Sequence, residues 1–506
     1  MGRSKIKTFY NTIKYLKPIQ VYYRLYYLVR NRFFKKSYYK ELSIKKVTLV
    51  WNDFLLSSNS YIGNDTFSFL NLSKGFENQI DWNYDGFGKL WTFNVNYFDF
   101  LNQKEFDMED GLKLIKDYVA KDESLKDGKA SYPISLRGIN WVKFLSKNKI
   151  SENEIDQYLY NDYQMLLYSP EYHLLGNHLL ENGFSLLFGA YYFKDKLLYK
   201  QACKILKTEL KEQTLKDGGH FELSPMYHQT MLFRVLDSIQ LLKLNTWKND
   251  NLLQFLEGVA LKMLSWLKEV TFDNGDIPMV NDSSIGIAPL TKELLSFGKH
   301  LGLNAEEIKL SDSGYRMFKK EKFELFVDVG QVGASYQPAH VHSDTFNFIL
   351  YINKQPIVVD TGVSTYDKNQ LRQSERSTAS HNTVQIDSYD QSQVWGGFRV
   401  AKRARITKLS EAENNLSATH NGYNSMGFLH TRSFQLEKDL IEIKDDISRP
   451  TNNKAKAFFH LESETNFEIK NNKVFIDDVI FEFEGAISIE VKGYHFLINV
   501  EKSRYV

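Results

Sequence analysis

A single cysteine, Cys203, stands in the 506-residue sequence. That excludes an intrachain disulfide framework and any zinc site built from paired cysteines. Its setting, KQACKILKTEL, reads as helix, where a lone thiol is an inert, part-buried apolar group. Proline is scarce too, at nine residues. No uninterrupted apolar run reaches the ~18 residues that a membrane-spanning helix needs. Acidic residues are nearly missing from the first 50 positions, which hold 13 Lys and Arg against Glu41 alone. With an overall charge of +2, that +12 head leaves −10 for the rest. The head lacks the apolar core and small-residue cleavage site of a secretory signal. Arg24 and Arg30 interrupt its only apolar stretch. These features point to a cytoplasmic protein, with residues 1–36 either lying on the inner face of an anionic membrane or packed against the acidic body of the same chain. No nucleic-acid partner is expected, and the oligomeric state is left open.

What is present in quantity is aromatic: 36 Phe and 30 Tyr. Such a supply suits a groove that stacks sugar rings, and equally suits a genome with a bias toward these codons. The length exceeds one ordinary core and calls for two domains. From about residue 100 to 310, apolar residues recur at spacings of three and four, with Gly, Asn and Asp clusters between the segments. A series of helix pairs of this kind suggests a helical toroid or solenoid. Near Ser311 the texture changes to short, partly alternating, β-branched and aromatic segments such as KFELFVDVG, which read as an antiparallel β-sandwich. The organisation is a basic aromatic segment (1–45), an α domain (46–310) and a β domain (311–506), with a ligand site expected between the last two.

Three stretches carry candidate chemistry. In EYHLLGNHLLENG, Asn177 and Glu181 share one helix face, with His178 about a quarter-turn away. In DGGHFELSPMYHQT, Ser224 is a natural N-cap and Pro225 a natural first helical residue. Tyr227 then falls in the first turn, where the helix dipole favours a phenolate and lowers its pKa. Glu222 and His228 flank it. In the β half, an extended Ala339–Asp344 would point His340 and His342 to one face. Asp360 ends the next strand and His381 opens another. His342, Asp360 and His381, completed by a water, match a zinc-like or manganese-like site, or else are polar residues at strand ends. Arg372 and Arg376 (RQSER) would suit an anionic substrate by bidentate pairing, or form surface ion pairs with acidic neighbours.

GNHLLENG, GGHFELSPMYHQ, AHVHSDTFNF, VVDTG and RSTASHNTVQID occur in this order, and together they resemble the heparinase II/III family of polysaccharide lyases over roughly residues 80 to 400. The resemblance implies an (α/α) toroid followed by an antiparallel β-sandwich. It implies β-elimination at uronic acids, or the related C5 epimerisation, on an anionic polysaccharide or oligosaccharide. Carried over by position, Asn177 neutralises the uronate carboxylate, and Tyr227 and His340 are catalytic. His342, Asp360 and His381 hold a divalent metal, zinc first, with manganese or calcium as alternatives. His178, Glu181, Glu222, Arg372 and Arg376 remain as substrate-holding candidates. Which of Tyr227 and His340 is the base is not decided by sequence.

Overall fold

A computed structural model describes residues 3–34, 38–43, 46–248, 250–448, 453–463, 465–484, 488–492 and 495–500. Two N-terminal helices, α1 (Arg3–Ile13) and α2 (Pro18–Phe33), precede an antiparallel hairpin of β1 (Thr66–Phe69) and β2 (Leu72–Gly75). The hairpin lies within the 46–310 segment expected as the α domain, ahead of the helical pattern read from about residue 100. Among the described residues, nine α-helices follow. They are α3 (Lys89–Tyr97), α4 (Met108–Ala120), α5 (Ser131–Lys147), α6 (Asn153–Tyr168), α7 (Gly176–Phe193), α8 (Lys196–Gln213), α9 (Pro225–Leu244), α10 (Leu252–Val270) and α11 (Thr291–His300). Helix α7 packs on α5 and α8 and lies at the centre: every residue except His178 is buried. A helix apolar on all faces belongs in an interior. Gly183 permits the approach of α8, because a Cβ there would stand 2.8 Å from Ile205.

The β domain begins at β3 (Tyr315–Lys319), which pairs in turn with β4 (Phe323–Asp328), β5 (Phe348–Ile352) and β6 (Gln355–Val358). After the short α12 (Gln370–Glu375) come β7 (Val384–Ile386) and a small pair, β8 (Val394–Trp395) and β9 (Arg399–Val400). A second sheet holds β10 (Ile406–Ala412), β11 (Asn415–His420), β12 (His430–Leu436) and β13 (Ile441–Ile447), in sequence order. Strand β14 (Ala455–His460) pairs with β7. The chain then forms a meander of β15 (Glu468–Lys470), β16 (Lys473–Ile476) and β17 (Val479–Glu482). The last two strands are β18 (Ser488–Lys492) and β19 (His495–Val500), and β19 pairs with β14. Every pairing between these strands is antiparallel.

Strand β4 explains how the domains dock. All six of its residues are buried. Phe323, Leu325 and Val327 enter the sandwich core with Phe348, Leu416 and Phe434. Phe326, on the opposite face, packs with Trp266, Val270 and Phe272 of the helical domain. The period of two thus assigns alternate residues to two different cores. An apolar junction of this kind fixes the helical domain against the sandwich far more firmly than a polar one.

Candidate functional site

Two helix starts form one wall. Asn177 is the second residue of α7, and Tyr227 the third of α9. Each start follows a leucine in the left-handed region, Leu175 at φ 64° and Leu223 at φ 57°. Such backbone is costly for a branched residue and persists where the surroundings over-determine it. Ser224 caps α9, its Oγ accepting the Tyr227 amide at 3.3 Å, with Pro225 in the first helical position. The Asn177 amide donates to Glu222 Oε1 (3.3 Å), so a carboxyl from the loop before α9 meets the positive end of α7. Asn177 Oδ1 is buried without a hydrogen-bond partner.

The opposing wall is not a strand. Residues 339–347 are irregular, so the expected extended alternation of His340 and His342 is absent. A shared carboxylate brings the two together instead. His340 Nδ1 donates to Asp282 Oδ2 (2.8 Å), and His342 Nε2 donates to Asp282 Oδ1 (2.9 Å). Both terminal nitrogens of Arg372 close on the same carboxylate, Nη2 at 2.7 Å from Oδ2. Burial alone would raise the Asp282 pKa; hydrogen bonds from His340, His342 and Arg372 hold it well below the usual carboxylate range. Asp282 comes from the loop between α10 and α11, so a residue of the helical domain orients the histidine of the β domain.

The walls meet at Tyr227 and His340, whose ring centroids lie 4.0 Å apart. His340 Nε2 is 3.6 Å from Glu222 Oε2. Tyr227 Oη shares a hydrogen bond with Tyr366 Oη (3.1 Å). The Tyr227 pKa is raised well above its ordinary value, first by burial and then by Tyr366. This corrects the expectation of a lowered value: desolvation at the junction outweighs the modest helix-dipole effect. Burial also raises the Glu222 carboxyl, against the pull of His340.

Other candidates are displaced from the roles expected of them. Glu181 is buried and accepts the Arg234 Nε at 3.1 Å through both oxygens, an internal pair and not a substrate contact. Arg372 and Arg376 are fully buried. Arg372 is spent on Asp282, and Arg376 donates through Nε and Nη2 to the Val341 carbonyl (3.1 and 2.8 Å). A buried carboxylate needs an equally buried counter-charge, which removes Arg372 from the surface where a polymer would bind. His178 is the one half-buried member of α7. Its Nδ1 meets Glu171 (3.2 Å) and its ring packs on Tyr132 (4.6 Å).

His342, Asp360 and His381 are neighbours, with Asp360 hydrogen-bonded to His381 and His342 held separately by Asp282. His381 Nδ1 donates to Asp360 Oδ2 (2.8 Å), and the His342 and His381 rings are 5.2 Å apart. Among the described residues, no group of three or more His, Cys, Asp or Glu side chains could hold a metal ion as placed. Asp360 here orients His381 through their hydrogen bond. The donor chemistry nevertheless fits a cation. His342 Nδ1, His381 Nε2 and Asp344 Oδ2 are all buried without a hydrogen-bond partner. Burial lowers the His342 pKa to about 4, which keeps its ring neutral.

Asp282 and Tyr366 were not found from sequence. Asp282 offered one signal, an Asn-Asp pair inside VNDSS between two helical segments; Tyr366 offered none.

The arrangement can hold a carboxylate at Asn177 and move a proton at His340 or Tyr227. Comparison with known proteins covers both halves of the chain. The Heparinase II/III N-terminus model matches residues 129–297, and the Heparinase II/III-like, C-terminal model matches residues 303–493. A heparin-sulfate lyase of Bacteroides stercoris is 25% identical over 274 residues, 48% of this chain and 39% of that protein. One from Pedobacter heparinus is 25% identical over 343 residues, 61% and 50% respectively. The chain thus spans at most half the length of these two relatives. A solved structure of heparinase III shares the fold, with a TM-score of 0.61 at 16% identity over 99% of this chain and 92% of that one. With both halves matched by models of one family, and the fold shared along nearly its whole length, the chain belongs to the heparinase II/III family.

Proposed function

We propose that the protein is a polysaccharide lyase that cleaves a uronic-acid-containing glycan by β-elimination. The observation that carries this reading is Tyr227 against His340, with Asn177 joined to the pair through Glu222. The C5 proton of a uronate is weakly acidic while its carboxylate is charged. The Asn177 side chain, whose Oδ1 has no hydrogen-bond partner, can turn its Nδ2 amide to donate to that carboxylate and to the enediolate as it forms. His340, with Nδ1 donating to Asp282, presents a basic Nε2 to the C5 proton. Tyr227, kept protonated by burial, donates to the leaving O4. The C5–H and C4–O4 bonds break, a C4–C5 double bond forms, and the proton lost to His340 is balanced by the one given by Tyr227.

A divalent ion belongs to the same proposal, zinc by donor type, with manganese or calcium as alternatives. The three unpartnered atoms of His342, Asp344 and His381 support it. When bound, it would supply positive charge that steadies the loop carrying His340. Metal analysis of purified wild type and His342→Ala tests this; equal metal content in both would sink it.

Turnover is tested on a panel of uronate polymers with wild type and Tyr227→Phe, read by ultraviolet absorbance of the unsaturated product and by mass spectrometry. Loss of the phenol should lower kcat by about 10²–10⁴-fold, the usual range for a general acid or base. Deuterium entry at C5 without cleavage would identify an epimerase, and a fully active Tyr227→Phe would remove Tyr227 from the chemistry.

A further inference from the structure

Helices α1 and α2 are docked through one face and bare on the other. In α2, Gln20 Nε2 donates to the Leu174 carbonyl (3.0 Å), Tyr27 Oη to that of Pro170 (2.6 Å), and Arg30 Nη1 to that of Tyr168 (2.7 Å). Tyr23 stacks on Tyr172 at 4.7 Å. These positions share one helix face. The opposite face carries Val21, Tyr22, Leu25, Leu28, Val29 and Phe33, all exposed, with Leu28 at 66% and Phe33 at 72%. Helix α1 repeats the division. Thr8 and Thr12 reach Gln393 and Trp395 of the β domain (both 3.1 Å), while Ile6, Phe9, Tyr10 and Ile13, spaced i, i+3, i+4, i+7, face outward.

Exposed apolar stripes of this kind are uncommon on a monomeric protein unless something covers them. The charge of the two helices says what. From Arg3 to Phe34 there are eight Lys and Arg and no Asp or Glu; Lys17 pairs with Glu212, and Arg24 and Arg30 donate to carbonyls of the helical domain, so the charge offered outward comes from the others. A second copy would bring two cationic faces together without a counter-ion. A bilayer with anionic headgroups matches both properties: headgroups meet the basic residues, and the apolar stripes enter the acyl boundary. Among the described residues no helix is long and apolar enough to cross a membrane, so the pair would lie on the surface.

We propose that α1 and α2 form a platform that seats the protein on an anionic lipid surface, with the candidate active site beside it. Leu174, the partner of Gln20, lies three residues before Asn177. The Lys17 ammonium sits 4.1 Å over the Tyr336 ring, four residues before His340. Because the platform grips both walls, seating it would tether the site close to the membrane. Resting on the lyase reading, this points to glycans tethered at that surface as the substrate class.

Sedimentation with vesicles tests the platform without turnover, so failure of the lyase reading leaves the result unmoved. Full-length protein is spun with phosphatidylglycerol–phosphatidylcholine vesicles and with phosphatidylcholine alone. The same is done for the triple variant Leu25→Glu, Leu28→Glu, Val29→Glu, whose fold is checked by circular dichroism. The wild type should bind anionic vesicles and not neutral ones, weaken with salt, and lose about ten-fold in binding on substitution. No wild-type binding, or equal binding by a folded variant, overturns the proposal. Self-association abolished by the same substitutions, without vesicle binding, also overturns it and assigns the face to a second copy.

Discussion

Asn177 and Tyr227 on one wall, and His340 on the other, are positioned by different physics. The start of α9 is local: Ser224 caps it three residues before Tyr227, although Glu222 reaches the first turn of α7 from 45 residues away. The β wall is long-range. His340, His342 and Arg372 converge on Asp282 from 58, 60 and 90 residues away. A capped helix start tolerates the loss of one contact, because the remaining turns hold the axis. A fully buried carboxylate with three partners does not, because each partner left behind is a buried charge or donor without company.

That contrast can be broken first at Asp282. Asp282→Ala strands the Arg372 guanidinium in the interior and should cost about 3–5 kcal/mol of stability, with activity lost as His340 loses its anchor. Denaturant unfolding measures it; a midpoint equal to wild type would mean that the network bears no load. Acid offers the next lever, on the helical side. His228 Nε2 donates to the Met263 carbonyl (2.9 Å) while Nδ1 accepts from the His220 amide (3.2 Å), so its neutral form is satisfied. Burial lowers its pKa from 6.5 to about 4. Between those values the unfolded chain binds a proton that the folded one does not. Stability is therefore complete above about pH 6.5 and falls as pH drops toward 4, by roughly 3 kcal/mol in all. Melting temperature against pH for wild type and His228→Gln checks the sign: the variant should show a shallower slope over this window. Smallest is Ser224→Ala, which removes the α9 cap together with the Oγ bond to the Asp282 carbonyl (2.8 Å) and should cost about 1–2 kcal/mol, with a few-fold drop in kcat. A larger loss than that for Asp282→Ala would reverse the comparison.

The same contrast explains what the sequence could reveal. Ser224, Pro225 and Tyr227 are legible because cap, first turn and proposed catalytic position lie within four residues. The alternation of β4 is legible because its period shows in six residues. Asp282 was missed because its function exists only after the domains dock. Arg372 and Arg376 were misread for a related reason: RQSER looks like an exposed charged helix, and nothing local shows that both guanidinium groups are fully buried. The shared face of His340 and His342 was expected from strand geometry, yet arises from a common carboxylate in irregular backbone.

Asp282 also sets an order of assembly. The ribosome completes Asn177, Tyr227 and Asp282 before it makes His340 or Arg372. Until the β domain follows, the Asp282 carboxylate has none of its three side-chain partners and its hydration must remain. The helical half emerging first therefore holds an open, wet version of its side of the site, and water leaves only when the second half arrives. Newly made chains should be catalytically silent until the last domain closes over them.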